Sequence, residues 1–295
     1  MGYPRRVVGW FLRLWPLTHV LKRWSSNPLA GKAFSPFLNE RIFQTTFVPV
    51  AERLPLEGGS PLPVEALRKL VQSSSHRFIY HQCICRSQEG CQSYPHEHGC
   101  IYLGEAADHL HPSLGRSATV EECLEHVERG AKMGLVGMVG RLWTDAVALG
   151  VLHRFPRFLV ICFCCDCCCL VRTDMKKAGR ELKTAIKRLD SIRVEVSGTC
   201  RGCGTCADTC FIGAIYIKEG RAWVDDEVCK GCGRCAQVCP EGALRVKIDE
   251  GDRVWQELLE RVGPALGLKV DATENEGGGI VPPPNLRRKK GGGKD

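Results

Sequence analysis

The 295-residue sequence lacks the local signatures of most enzyme classes. It has no Walker phosphate loop, no Rossmann fingerprint and no hydrolase triad. The glycines of "GLVGMVG" do not follow G-x-G-x-x-G spacing, so nucleotide binding has no local support. A C-x-x-C-H haem attachment site is also absent. Long hydrophobic runs are missing too. In the stretch "RRVVGWFLRLWPLTHVLKRW", Arg13, Pro16 and His19 interrupt the apolar residues, leaving runs too short for a transmembrane helix. No A-x-A cleavage site follows, and the residues after Arg5 and Arg6 do not continue a twin-arginine pattern, so export is not expected.

Acidic residues are absent from residues 1–32, which carry Arg5, Arg6, Arg13, Lys22, Arg23 and Lys32. The tail carries Arg287, Arg288, Lys289, Lys290 and Lys294 against Asp295. These ends hold +6 and +4 of the formal net charge of +8, leaving the body at −2. A basic nucleic-acid-binding face on the body therefore has little support, and no nucleic-acid partner is expected. The ends remain suited to an acidic partner or anionic lipid. On a helical wheel Val7, Trp10, Phe11, Leu14, Leu17, Leu21 and Trp24 share one side of residues 5–24, with Arg5, Arg6, Gly9, Arg13, Pro16 and Arg23 opposite. That pattern suits a helix lying in a membrane surface and kinked at Pro16, or one packed on this protein or a partner subunit.

What is abundant is cysteine. There are 19, an odd number in a chain without an export signature, which points to a reducing compartment and metal–thiolate chemistry. The expected location is the cytoplasm, with peripheral contact at the inner face of the membrane through residues 5–24.

Composition and periodicity divide the chain into six stretches. Residues 1–27 are the amphipathic basic and aromatic segment, and 28–62 an extended proline-rich connector. Folded structure is expected from about Pro63, with 63–172 a small α/β cysteine-rich domain. There "PVEALRKLVQSS" and "TVEECLEHVERGAKMG" read as helices, the latter with capping-box residues Thr119 and Glu122 and a stop at Gly134. "RFIYHQCIC", "GLVGMVGRL" and "RFLVICFCC" read as strands. Residues 173–190 read as a polar linker helix, and 251–295 as a short helix followed by a disordered basic tail.

Residues 191–250 contain an internal repeat. Cys200, Cys203, Cys206 and Cys210 recur 29 residues later as Cys229, Cys232, Cys235 and Cys239. Each half has C-x2-C-x2-C-x3-C spacing, which lets three thiolates of one loop reach an iron–sulfur cube while the fourth points away. Paired zinc knuckles use two C-x-x-C pairs, and the doubled spacing argues against them. Glycines at 202, 204, 231 and 233 let the backbone approach closely.

Over residues 191–249 the sequence resembles the bacterial-type ferredoxins with two 4Fe-4S clusters. The resemblance implies a βαββαβ sandwich, and an α+β fold class for the chain. It implies one 4Fe-4S cluster on Cys200, Cys203, Cys206 and Cys239, and a second on Cys229, Cys232, Cys235 and Cys210. One departure is Phe211, which stands where the second half has Pro240; it is expected to change the turn and the polarity around the first cluster.

Eleven cysteines remain: Cys83, Cys85, Cys91, Cys100, Cys123, Cys162, Cys164, Cys165, Cys167, Cys168 and Cys169. If Val160 to Val171 is extended, Cys162, Cys164 and Cys168 share one face with Asp166, and Cys165, Cys167 and Cys169 the other. The spacing of Cys83, Cys85, Cys91 and Cys100 could fold round a metal and be completed from the other segment. Cys123, within a helix, is read as core, and the pairs His96/His98 and His109/His111 as loop residues. Asp166 is either a ligand or a hydrogen-bond acceptor.

With its "CICR…C…GCI-LG" segment and "C-CC-CCC" run, the chain also resembles a group of ferredoxin-domain proteins of anaerobic bacteria. That resemblance implies iron–sulfur electron transfer and supports a third cluster, or a zinc ion, in the first domain. The expected function is a redox relay for a partner oxidoreductase. The alternatives are an enzyme subunit whose reactive centre is the cysteine-rich domain, and a zinc-stabilised docking module.

Overall fold

The computed structural model describes residues 1–34, 41–51, 63–249 and 252–268. The expected disordered tail and residues 35–40 and 52–62 of the proline-rich connector lie outside the described residues. The helices and strands run α1 (Arg5–Leu12), α2 (Trp15–Trp24), α3 (Pro28–Phe34), β1 (Phe43–Val48), α4 (Val64–Ser73), β2 (Arg77–Tyr80) and α5 (Ile84–Glu89). Then come β3 (Ile101–Leu103), β4 (Gly115–Ser117), α6 (Val120–Lys132), β5 (Val136–Leu142), α7 (Trp143–Ala148), β6 (Leu159–Cys164) and α8 (Arg180–Ala185). The chain continues through β7 (Ile192–Val196), α9 (Thr205–Thr209), β8 (Ile215–Lys218), β9 (Arg221–Val224), α10 (Arg234–Val238), β10 (Leu244–Ile248) and α11 (Arg253–Leu266). The fold is a mixed α+β one.

Six antiparallel strands in the order β1-β5-β6-β3-β2-β4 form the main sheet. β6 reads Leu-Val-Ile-Cys-Phe-Cys and is almost wholly buried, as a strand covered on both faces must be. Helices α4 and α6 pack on each other, and their Leu67, Leu70 and Val127 share the main core with Val139 and Ile161 of the sheet. Burying each such leucine is worth roughly 1.5–3 kcal/mol. On the other side Val8 of α1 and Ala146 of α7 join Tyr102, Phe158 and Val160 in a smaller core. The capping box of α6 forms as its sequence requires: Thr119 Oγ1 accepts from the Glu122 N–H at 3.2 Å, and Glu122 accepts from the Thr119 N–H at 2.8 Å.

Residues 192–248 follow the order strand, helix, strand, strand, helix, strand. β7 pairs with β10 antiparallel, and β8 with β9 as a hairpin. Their apolar faces are continuous with the main core, which joins Ile192, Ile212 and Val246 to Phe47 and Leu135. Helix α11 contributes Trp255, Leu258 and Val262 to that core.

The structure departs from the sequence reading in several places, among them α3, a helix at the start of the stretch read as extended. β1 lies inside the stretch read as an extended connector and pairs along its length with β5, so folded structure begins ahead of Pro63. The strand expected over "RFIYHQCIC" ends at Tyr80, and Cys83 and Cys85 sit at the start of α5. β6 ends at Cys164 and the next residues turn, so the two-face alternation of the cysteine run fails beyond that point. The linker helix shrinks to a 3-10 turn at Met175–Lys177 and the six residues of α8, because the chain then joins the sheet edge through a bridge from Lys187 to Thr46.

The amino-terminal segment is two helices. Arg13 and Leu14 separate them, and Pro16 sits in the first turn of α2, where its missing N–H costs nothing, so it does not kink a continuous helix. α1 turns Val8 into the smaller core, whereas the inward side of α2 is polar. His19 lies between Glu89 (2.9 Å) and Asp174 (3.0 Å), Lys22 donates to the carbonyls of Leu170 and Thr173, and the Trp15 indole donates to Glu89. Val7, Trp10, Leu14, Leu17, Leu21 and Trp24 point outward, Trp24 at 67% exposure. No helix among the described residues is long and apolar enough to cross a membrane.

Candidate metal centres

The repeat builds two hollows. The outer one is lined by Cys200, Cys203, Cys206 and Cys239. The inner one is lined by Cys229, Cys232, Cys235 and Cys210. Each takes three cysteines from its own loop and the fourth from the residue that ends the opposite short helix. The loops demand glycine: Gly202 has φ +68°, and a Cβ there would stand 2.4 Å from the Gly220 carbonyl oxygen.

Backbone N–H groups point at the sulfurs. Ala243 donates to Cys239 at 3.2 Å, its repeat counterpart Ala214 to Cys210 at 3.3 Å, and Ala222 to Cys200 at 3.4 Å. Such donors stabilise negative sulfur, in the thiolate and in a reduced cluster alike.

The hollows differ in surroundings. Cys203 is exposed, and hydrogen bonding from the Thr205 hydroxyl, 3.5 Å away, lowers its pKa. In the inner hollow burial pushes the Cys229 thiol up to about 11 and those of Cys232 and Cys235 up as well. Cations oppose that burial. The fully buried Arg172 guanidinium stands near Cys232, and Arg188 near Cys229. Burial also pulls the Lys230 amine down to about 8.

Phe211, expected to act on the first cluster, lines the inner hollow instead, because it follows Cys210, which crosses over. Its ring packs 5.2 Å from Phe47 of β1 and 4.8 Å from the Arg172 guanidinium. The departure from proline thus serves the contact between the repeat and the first domain. Two four-thiol sets with directed amides suit a soft, thiolate-bound iron centre.

In the first domain ten cysteines come together in three groups. The sulfurs of Cys91, Cys165, Cys167 and Cys168 lie within 4.8 Å of one another. A chain of thiol hydrogen bonds runs Cys83–Cys85–Cys169–Cys164. Within it the bond with Cys85 draws Cys83 down to about 7, bonds from Cys164 and Cys85 hold Cys169 well below the usual thiol range, and Cys85 and Cys164 are driven well above it. Cys100 and Cys162, opposite each other beside the Ile101–Ile161 pair of β3 and β6, have sulfurs 3.1 Å apart.

Cys123 stays in the core of α6, where burial raises its thiol to about 11. The histidines keep apart from the thiols. His98 is buried and stacked on His126 at 3.9 Å, His96 Nε2 bonds the Cys91 carbonyl, His109 lies against His153, and His111 bonds Ser113. Asp166 pairs with Arg172 and, at 2.5 Å, with Arg234 of α10, which makes it an acceptor joining the cysteine run to the inner hollow.

Arg86 and Arg172, both fully buried, went unread in the sequence. Arg86 donates to the carbonyls of Pro95 (3.1 Å), His98 (2.9 Å) and Phe163 (2.5 Å), tying both cysteine segments together. The available signal was an arginine beside each cysteine segment, where a cation offsets thiolate charge.

Residues 199–243 match a family model described as a 4Fe-4S dicluster domain. The carboxy-terminal part of the chain is thus a ferredoxin-type, 4Fe-4S-binding unit. Neither a curated protein nor a solved structure matches the chain.

Proposed function

We propose that the protein is a two-cluster electron carrier for a partner oxidoreductase. Cys200, Cys203, Cys206 and Cys239 hold one 4Fe-4S cluster, Cys229, Cys232, Cys235 and Cys210 the other, in a ferredoxin-type βαββαβ unit. The observation that carries this reading is the crossed lining of the two hollows. When bound, the clusters supply one-electron oxidation and reduction. The chain's part is to bury Cys229 and Cys235 at the inner hollow, set N–H donors on the sulfurs, and place Arg172 where added negative charge is least costly.

The outer hollow is the entry side. The exposed Ile217 lines it, and the adjoining hairpin pair Tyr216 and Trp223 is exposed too, an apolar surface suited to a partner protein. The inner hollow faces the first domain, where the remaining cysteines hold an additional metal centre. Anaerobically purified protein is expected to contain about eight iron and about eight labile sulfide for the two clusters. A sulfide count near four would end the two-cluster reading.

Residues 5–24 are proposed to rest on an anionic membrane surface. Their tryptophans and leucines face outward beside the exposed Arg6, Arg13 and Arg23, while the polar side is spent on the protein. The protein should float with anionic vesicles at low salt, and Trp10→Ser with Trp24→Ser should abolish flotation without loss of iron. Equal flotation of parent and variant would remove the membrane and leave a partner subunit as the occupant.

A further inference from the structure

We propose that Cys91, Cys165, Cys167 and Cys168 form a mononuclear tetrathiolate site for one soft divalent ion, zinc or iron. This rests on the reading above that the first domain holds an additional metal centre, and it names the ligands and the nuclearity.

Spacing carries the argument. Four thiolates at ~2.3 Å from a single tetrahedral ion stand ~3.8 Å from one another. The four sulfurs lie within 4.8 Å, with Cys91 and Cys167 at 3.6 Å. Among the described residues neither cysteine set of the two hollows is so tight, although both belong to a 4Fe-4S-type repeat. A four-iron core spreads its thiolates around a larger body; a single ion draws them together.

Directed donors are the second observation. The N–H groups of Ser93 and Tyr94, two and three residues on, bond the Cys91 sulfur, and the Cys168 N–H bonds that of Cys165. Turns of this kind wrap a sulfur in amide donors and favour the thiolate as ligand. Gly90, at φ +61°, starts the first turn by ending α5, and the Cys91 N–H is held by the Arg86 carbonyl at 3.0 Å.

Charge is the third. Four thiolates on a divalent ion leave a net charge of about −2. The buried Arg86 guanidinium bonds Cys165, while Asp166 is turned toward Arg172 and Arg234 and adds no negative charge to the ligand set. Cys167 is exposed, which gives the ion a way in.

The test compares anaerobically purified full-length protein with the variants Cys91→Ser and Cys167→Ser. Zinc, iron and labile sulfide are measured in each. In the parent, total metal should exceed sulfide by about one ion per chain, and both variants should lose that ion with sulfide unchanged. Zinc or iron as the excess ion supports the site equally and identifies its occupant. Loss of about four iron and four sulfide together in the variants would make the site a cluster and overturn the proposal. Metal content unchanged in both variants would overturn it too. A parent sulfide count near four would fault the two-cluster reading instead, and the variant comparison would still stand. Cys167 being exposed, its serine variant is expected to fold; X-ray absorption of the parent's excess ion gives an independent reading, with about four sulfur neighbours near 2.3 Å and no metal–metal scattering expected.

Discussion

The outer and inner hollows come from the same repeat with the same cysteine spacing, yet one leaves Cys203 exposed and the other buries Cys229 and Cys235 with Arg172, Arg188 and Lys230 near its thiols. Spacing therefore fixes how many thiols converge, and the elements packed outside the repeat fix the charge and wetness they meet. Two clusters with equivalent ligands should differ in potential for that reason.

The largest expected effect comes from Arg172→Met, which acts on the inner side alone. Arg172 is fully buried, pairs with Asp166 and lies over Phe211. Asp166 is partly exposed and keeps Arg234, so the loss is that of the contacts of one buried charged hydrogen-bonding group, about 1.5–3 kcal/mol. A thermal melt should show that loss, and a redox titration should show the inner cluster moving to lower potential with the outer one unmoved. Equal movement of both would erase the distinction between the hollows.

Gly202→Ala makes the reciprocal test on the outer side. The positive φ and the clash with the Gly220 carbonyl should cost about 1–3 kcal/mol and loosen the loop that carries Cys200 and Cys203. Roughly half of the cluster iron should become labile to chelator. Iron loss from the inner hollow first would contradict the assignment of this loop.

The smallest effect belongs to Thr205→Val. Losing the hydroxyl beside Cys203 should leave stability within about 0.5 kcal/mol and lower only the outer cluster's potential, because a donor to the sulfur favours the reduced state. An unchanged titration curve would mean that solvent already supplies that donor.

Much of the repeat was legible because local spacing sets which thiols share a loop: each hollow is lined by three cysteines of one loop, with Cys210 and Cys239 lining the opposite one. Helices α4, α6 and α11 were legible from their apolar periodicity, and α6 also from Thr119 and Glu122. β1 was not, since the partner that makes it a strand, β5, lies about ninety residues away in sequence. The sorting of the cysteine run was hidden for a similar reason. Where β6 stops, at Cys164, depends on the turn bound to Arg86 and Arg172, and only that turn brings Cys165, Cys167 and Cys168 to Cys91. Phe211 lines the inner hollow because it follows Cys210, and its contact with Phe47 of a distant strand is not legible in the sequence.

The crossing of the two sets is most directly tested by counting iron in two double variants. If Cys210 and Cys235 serve one cluster, Cys210→Ala with Cys235→Ala should keep the other, retaining about four of about eight cluster irons. Cys210→Ala with Cys206→Ala then strikes both clusters and should retain almost none. The reverse result, with iron kept in the second variant and lost in the first, would mean that each loop holds its own cluster and would contradict the crossed arrangement.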